Sequence, residues 1–406
     1  MPSYGSKFSK RTFTKPHLVA LYCLKPKLGV TFLDRLLHRL LYFRADNMDW
    51  VTLLINVAAS LLGGSVSGTL ISYYLDRRRI GIQKRTNKAK LSAQICYNFK
   101  NIKQLFNIGQ LSLDIQLIDQ LLDDFTPEQV EDIYAKIDKL KKNFEHVRQQ
   151  FEQCHAQNME IADSESSLRS YLLELYEVFA PPLTGQQIGI FKNPIIPRGK
   201  GRCGHWGLAT PEEYYQELRK YNARYINPFD KPGVWGKYKI VINPYGEYYF
   251  VRKDIKIEQF AGIVKRFIEN GGIWVHAGGY PFYKAVIEGQ KEPETTHSLI
   301  AEELKLEIEG TDGRTVTTEE KPEGVRYLGR VNWRCESGIR SLQNADNVYA
   351  TAKSNKGDMN VLASKIIGNG LFLHYGGMHS KIKIEEVSTA IKTLCRLIKS
   401  ISLETR

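Results

Sequence analysis

The chain has 406 residues, 42% of them hydrophobic and 25% charged, with a net charge of +13. Such a chain can bury a core, which excludes a wholly disordered protein and a small disulfide scaffold. The charge is local: residues 1–90 carry +12 and the other 316 carry +1, so no nucleic-acid partner is expected of the bulk of the chain.

Cys23, Cys96, Cys154, Cys203, Cys335 and Cys395 are far apart and form no C-x-x-C pair. That spacing reads as a reduced compartment, without a disulfide framework or a structural zinc site.

Residues 1–47 form a basic extension with three readings. Val30 to Phe43 fits an amphipathic surface helix. The composition also fits an organellar import sequence. In the third reading translation starts at Met48, directly before the next element.

Trp50 to Leu75 is free of charged side chains over 26 residues, with Trp50 at one end and Tyr73 and Tyr74 at the other. A hydrocarbon core needs roughly 20 apolar residues, so this stretch is expected to be a single transmembrane helix. Arg77, Arg78, Arg79, Lys84, Arg85, Lys88 and Lys90 follow it, against Arg35, Arg39 and Arg44 before it. The positive-inside rule then places the C-terminal part in the cytoplasm, below the cell membrane. Ser60, Gly64, Gly68 and Ser72 form a small-residue face suited to helix pairing.

Residues 83–180 are poor in Gly and Pro and are expected to be helical. Thr126-Pro127-Glu128-Gln129 has the pattern of a capping box with Pro in the first turn. Val130, Ile133, Ile137, Leu140, Phe144, Val147 and Phe151 follow at alternating spacings of 3 and 4. This seam fits a helical bundle or an intermolecular coiled coil. Together with Gly64 and Gly68 it predicts a homo-oligomer. Ala180 to Gly185 (APPLTG) reads as a linker.

From 186 to 406 the pattern becomes strand–helix alternation. Strands are expected at 187–191, 223–227, 238–243 and 273–276, and shorter ones at 324–329, 347–351, 360–366 and 371–375. Helices are expected after Thr210-Pro211, over 255–269 and over 381–401. The order implies an α/β fold with a doubly wound parallel sheet.

Three segments then carry a family resemblance: YKIVINPYGE (238–247), FIENGG (267–272) leading into IWVHAGGYPF (273–282), and GNGLFLHYGGMH (368–379). Over roughly 186–380 the chain resembles the class I glutamine amidotransferase-like superfamily, and within it the trehalose-utilisation (ThuA-like) branch. The resemblance implies a flavodoxin-like sandwich with a pocket at the C-terminal ends of the strands. It does not extend to glutamine hydrolysis. Where a working amidotransferase has G-x-C-x-G, this chain reads Val275-His276-Ala277-Gly278-Gly279, without cysteine.

In that fold the strand-end loops gather Cys203, His205, Glu247, His276, His374 and His379. Cys203 beside an imidazole is a candidate nucleophile, and Glu247 or His276 a candidate acid–base group. His205, Gly278, Gly279, Tyr280, His374 and His379 are candidate ligand-binding residues. Lys200 and Arg202 favour an anionic ligand. Each has a plain alternative: a loop thiol, a hydrogen-bonded histidine, a carboxylate on turn amides, glycines that permit turns. The sequence assigns no metal and no cofactor. The expected function is a membrane-anchored, cytosol-facing module whose degenerate pocket binds a small molecule or partner. The alternative is a hydrolase using Cys203 or His276 with Glu247.

Overall fold

The structure, a computed structural model, describes residues 65–153, 159–179, 187–193, 202–204, 206–296, 299–311, 315–318, 321–335, 338–379 and 384–405. The chain divides between Ile82 and Gln83 into two units, which are described separately.

In the first unit the described residues belong to helix α1, Ser65–Lys100. Tyr73, Tyr74, Leu75, Ile80 and Ile82 are exposed, and the Arg77 guanidinium sits 5.2 Å from the Tyr73 ring centre. The expected membrane span is overturned here. Its residues 50–64, with Gly64, lie outside the described residues. Its remainder, from Ser65 to Leu75, is the start of one helix that runs on through Asp76 and Arg77 to Arg79. Among the described residues no helix is long and apolar enough to cross a membrane. The lipid bilayer as partner, the single-pass topology and the cell-membrane location all depended on that span.

The second unit starts at Gln83. Its helical part comprises the rest of α1, then α2 (Ile102–Ile108), α3 (Ile115–Asp119), α4 (Pro127–Gln153) and α5 (Met159–Phe179). The α4 capping box forms: Gln129 N donates to Thr126 Oγ1 at 3.4 Å, and Thr126 N donates to Gln129 Oε1 at 3.0 Å. On the heptad seam Ile133, Ile137, Leu140, Phe144 and Val147 are buried with Leu91, Ile95, Phe99, Leu168 and Leu172 of the same chain. Those side chains are consumed internally, so the seam is not free to join a second copy. The expected oligomer through Gly64, Gly68 and 130–151 therefore loses this contact.

The strands are β1 (Gln187–Phe191), β2 (Ala223–Ile226), β3 (Tyr238–Asn243), β4 (Tyr248–Val251), β5 (Ile273–Ala277), β6 (Lys284–Ile287) and β7 (Glu294–Thr295). They continue with β8 (Ile308–Thr311), β9 (Thr315–Thr317), β10 (Asn332–Arg334), β11 (Ile339–Leu342), β12 (Asn347–Ser354), β13 (Gly357–Ile367) and β14 (Gly370–Tyr375). Nine of them make one sheet in the order β10-β9-β12-β13-β14-β5-β3-β1-β2. From β14 to β2 every pairing is parallel, and from β14 to β10 every pairing is antiparallel. The expected flavodoxin-like, doubly wound parallel sheet is thus corrected to a mixed nine-stranded sheet. A five-residue strand such as IWVHA is buried on both faces and reads as parallel. The β12–β13 pair reverses through the tight Ser354–Gly357 turn, which needs no crossover.

Strand alternation sends side chains to two layers. Ile240, Ile242, Ile273, Val275, Leu373 and Tyr375 join the core that also holds the helical part and the last helix, α10 (Ile384–Glu404). Val241, Trp274 and Phe372 point the other way. There they meet Phe260, Val264 and Ile268 of α7 (Ile257–Glu269), each burial contributing roughly 1.5–3 kcal/mol. Between these come α6 (Pro211–Leu218), capped by Thr210 and Glu213, then α8 (Leu299–Glu303) and α9 (Pro322–Leu328). The expected strand at 324–329 is this helix α9. Pro322 starts it, and Gly329, at φ 74°, ends it.

Candidate functional site

The parallel strands end at one edge, where four loops meet. After β3, Asn243 holds a tight turn: Tyr245 N donates to its Oδ1 at 3.2 Å, and its Nδ2 donates to Tyr248 O at 2.7 Å. That turn presents Gly246 O and the buried Glu247. After β5, Gly278 and Gly279 have φ of 112° and 70°, where L side chains are strained. A Cβ on Gly278 would lie 1.8 Å from Trp206 O, and one on Gly279 2.5 Å from Glu247 Cγ. The glycine pair is therefore filled by the chain's own atoms. Gly376 is similar, since its Cβ would lie 1.7 Å from Arg340 O.

Glu247 Oε1 accepts the Tyr280 amide at 3.0 Å, and its backbone O accepts from Tyr283 and Lys284. The carboxylate thus fixes the loop that carries Tyr280.

His276 and His374 are side by side on β5 and β14 and fully buried. Their Nδ1 atoms are 2.9 Å apart, and the rings stack at 5.0 Å with 11° between planes. His276 Nε2 is 3.0 Å from Gly246 O, and His374 Nε2 is 2.6 Å from Arg340 O. A carbonyl only accepts, so both Nε2 atoms carry hydrogen. Two neutral rings then have no hydrogen left for the Nδ1–Nδ1 contact. The site has room for one further proton, between the two Nδ1 atoms, and for no more. Burial opposes that charge. It pushes His374 down to about 4, and burial with the neighbouring His374 takes His276 well below the usual imidazole range. Burial and the neighbouring ring thus both oppose protonation of the pair.

His379 is held separately. Trp333 Nε1 donates to Tyr375 Oη at 3.0 Å, and that hydroxyl is hydrogen-bonded to His379 Nε2 at 2.5 Å. His379 Nδ1 is buried without a partner among the described residues. Burial, then Arg202, lowers its pKa to about 4.

Cys203 is also buried, in a turn where Gly207 N donates to Cys203 O at 3.1 Å. Burial, then Glu212 and Glu213, pushes its thiol up to about 12, so it is a thiol at neutral pH. Among the described residues it makes no hydrogen bond to an imidazole. Arg202 beside it pairs with Glu213 at 2.5 Å. His205 and Lys200 lie outside the described residues. Among the described residues no group of three His, Cys, Asp or Glu could hold a metal ion. The structure thus joins Glu247, His276, Gly279, Tyr280 and His374 in one web and leaves Cys203 apart from it.

Sequence reading missed the cleft next to that web. About 470 Å³ is lined by Trp206, Thr311, Arg340, Asn355, Lys356 and Met378. Arg340 is its best-defined group. Its N donates to Gly376 O at 3.0 Å, its O is held by His374, and its guanidinium lies 4.4 Å from the Tyr280 ring centre. Its Nε is buried without a hydrogen-bond partner. Lys356 is paired with Glu309 at 2.9 Å. No motif marks Arg340. It comes from a short strand, β11, paired with β8 outside the main sheet.

No family model matches the chain, and no curated protein matches it. Part of it is similar to solved structures. The β-galactosidase from Rahnella sp. R3 is 17% identical over 58% of this chain and 34% of its own, with a TM-score of 0.37. The β-galactosidase from Bacillus circulans sp. alkalophilus is 16% identical over 56% and 33%, at 0.34. A cytoplasmic protein from Salmonella typhimurium LT2 is 10% identical over 53% of this chain and 98% of its own, at 0.37. The chain spans about a third of the length of those β-galactosidases. Likeness at this level carries no functional argument. The resemblance to the glutamine amidotransferase-like superfamily and its ThuA-like branch is overturned: no family model supports it, and the sheet is mixed. The anchored amidotransferase-like module falls with it.

Proposed function

We propose that this chain is a binding protein whose cleft between Trp206, Arg340 and Met378 holds a small polar molecule with one anionic group. The carrying observation is Arg340. Its backbone is held on both sides, its guanidinium is stacked on Tyr280, and its buried Nε lacks an acceptor. A buried donor without a partner costs about 1–3 kcal/mol, which a ligand oxyanion would recover. The stacked, preorganised fork is suited to carboxylate or phosphate. Thr311 and Asn355 add neutral hydrogen-bonding groups, and Trp206 adds an apolar wall. The volume falls in the usual range for small-molecule sites, about 300–1,000 Å³.

Binding is favoured over covalent hydrolysis because Cys203 is held as a thiol and the histidine pair has both Nε2 atoms on backbone carbonyls. The test is thermal-shift and calorimetric screening of small carboxylates, phosphates and sugar phosphates against the full chain. Ligands that stabilise the protein are expected to lose at least tenfold in affinity with Arg340→Gln. A screen without binders, or binders indifferent to Arg340→Gln, overturns the reading.

A further inference from the structure

A second concavity lies at the opposite edge of the sheet, where β3 and β5 begin. It measures about 520 Å³ and is lined by Trp235, Lys237, Tyr238, Lys239, Arg266, Phe267 and Asn270, with Ile263 and glycine backbone between them. Three of these side chains are cations, and the lining contains no carboxylate. Among the described residues Lys237, Lys239 and Arg266 have no ion pair. Asp230 acts on Tyr238 in the pocket wall, and Glu269 acts on Lys265 outside it. Arg266, in the last turn of α7, also complements the helix dipole, which accounts for one cation and not for three.

Lys239 is half-buried. A Cβ on Gly271 would lie 3.3 Å from its Nζ, so the ammonium extends over the Gly271-Gly272 turn. That turn has no spare donors, because Gly271 N and Gly272 N are bonded to Ile268 O and Phe267 O. Trp235 forms the floor of the pocket. It is buried against Phe191, Phe260 and Trp274, which fixes its ring, and its Nε1 is buried with no acceptor. Lys237, Lys239 and Arg266 supply two ammonium groups and a guanidinium, all donors, while Asn270 and the Tyr238 hydroxyl can donate or accept. Three cations without a carboxylate among them call for a ligand that carries more than one negative charge. Tyr238 and Phe267, both half-buried, give the pocket aromatic sides.

We propose that this pocket is a second ligand site, separate from the Arg340 cleft, and that it takes a small phosphomonoester bearing a flat ring, the chemistry of a mononucleotide. The phosphate dianion answers Lys239, Arg266 and Lys237, and the ring lies against the aromatic sides.

The test is calorimetric titration of the full chain with AMP, adenosine and inorganic phosphate. AMP is expected to bind, and adenosine and phosphate each to bind at least tenfold more weakly. Lys239→Gln and Arg266→Gln are each expected to weaken AMP about tenfold, the loss of one charge-assisted contact, with unchanged melting curves. Arg340→Gln should leave AMP binding unchanged. The proposal fails if AMP gives no heat at millimolar concentration, or if adenosine binds as tightly as AMP. It also fails if phosphate alone matches AMP, or if the double variant binds AMP like the parent chain.

Discussion

His276 and His374 meet through Nδ1 atoms 2.9 Å apart while each Nε2 is held by a backbone carbonyl. The pair ties the turn after β3 to strand β11. His276 holds the turn after β3 through Gly246, and His374 holds β11 through Arg340, which forms a wall of the cleft. These imidazoles act as internal struts for the strand-end edge, and their titration should be visible as stability.

Acid should therefore weaken the fold before carboxylates titrate. His374 and His379 are each lowered to about 4, and His276 is lowered too, chiefly by burial. An unfolded chain takes up these protons near 6.5. Above pH 6.5 both states are neutral and the stabilisation is complete. Between about 6.5 and 4 the unfolded state binds protons that the native state refuses, so stability falls as pH falls, by about 3 kcal/mol for His374 alone. Urea melts at pH 7.5 and 5.0 check this. An identical midpoint at both would show that the histidines are not buried as described.

A buried ion cluster gives the second prediction. Glu165 accepts from Arg169 at 3.1 Å and from Arg326 at 2.8 Å, and Arg169 also reaches Glu404 at 2.8 Å. Arg169 lies over both Phe99 and Tyr327. The cluster joins α5 to α9 and α10. Glu165→Ala leaves two guanidinium groups without their shared carboxylate and should cost about 3–5 kcal/mol. Chemical denaturation measures the loss, and a value below 1 kcal/mol would mean that water reaches the cluster. Glu165→Ala with Arg326→Ala should cost less than the sum of the single changes.

How far the sequence anticipates this structure depends on what each segment had to reveal. QIGIF, YKIVIN and IWVH carry their own evidence, because buried parallel strands are continuous apolar runs. The Thr126 and Thr210 caps are equally local. The heptad seam reveals an amphipathic helix but not its partner, since a bundle and a coiled coil bury the same face. At 324–329 the glycines look like strand ends, yet Pro322 starts a helix and Gly329 ends it. The uncharged stretch before Asp76 looks like a membrane span, because composition does not show where a helix stops. The cleft was invisible for another reason. Trp206, Arg340, Lys356 and Met378 are scattered over more than 170 positions and meet only through strand pairing.

Gly278 is the most demanding backbone position at the strand-end edge. Its φ is 112°, and any Cβ would collide with Trp206 O. Gly278→Ala should destabilise the chain by about 2–4 kcal/mol and separate the loops after β1 and β5. Gly236→Ala, where a Cβ would meet nothing within 4 Å, is the control and should be near neutral. Thermal melts of the two variants decide. Equal effects would place the Gly278 loop elsewhere.

The last prediction concerns Cys203, the residue that sequence reading places first as a nucleophile. A reactive cysteine needs its thiolate exposed beside positive charge. Cys203 has the reverse surroundings: it is buried, Glu212 and Glu213 raise its pKa further to about 12, and the adjacent Arg202 is engaged by Glu213. In native protein at pH 7.5 iodoacetamide should therefore modify the partly exposed Cys96 well before Cys203, Cys335 or Cys395, all of them buried. In urea the four should react alike, because burial is the main cause of the difference. Mass spectrometry of a quenched alkylation series gives each rate separately. Rapid native labelling of Cys203 would reverse the assignment, since it would require a thiolate that the surrounding carboxylates oppose.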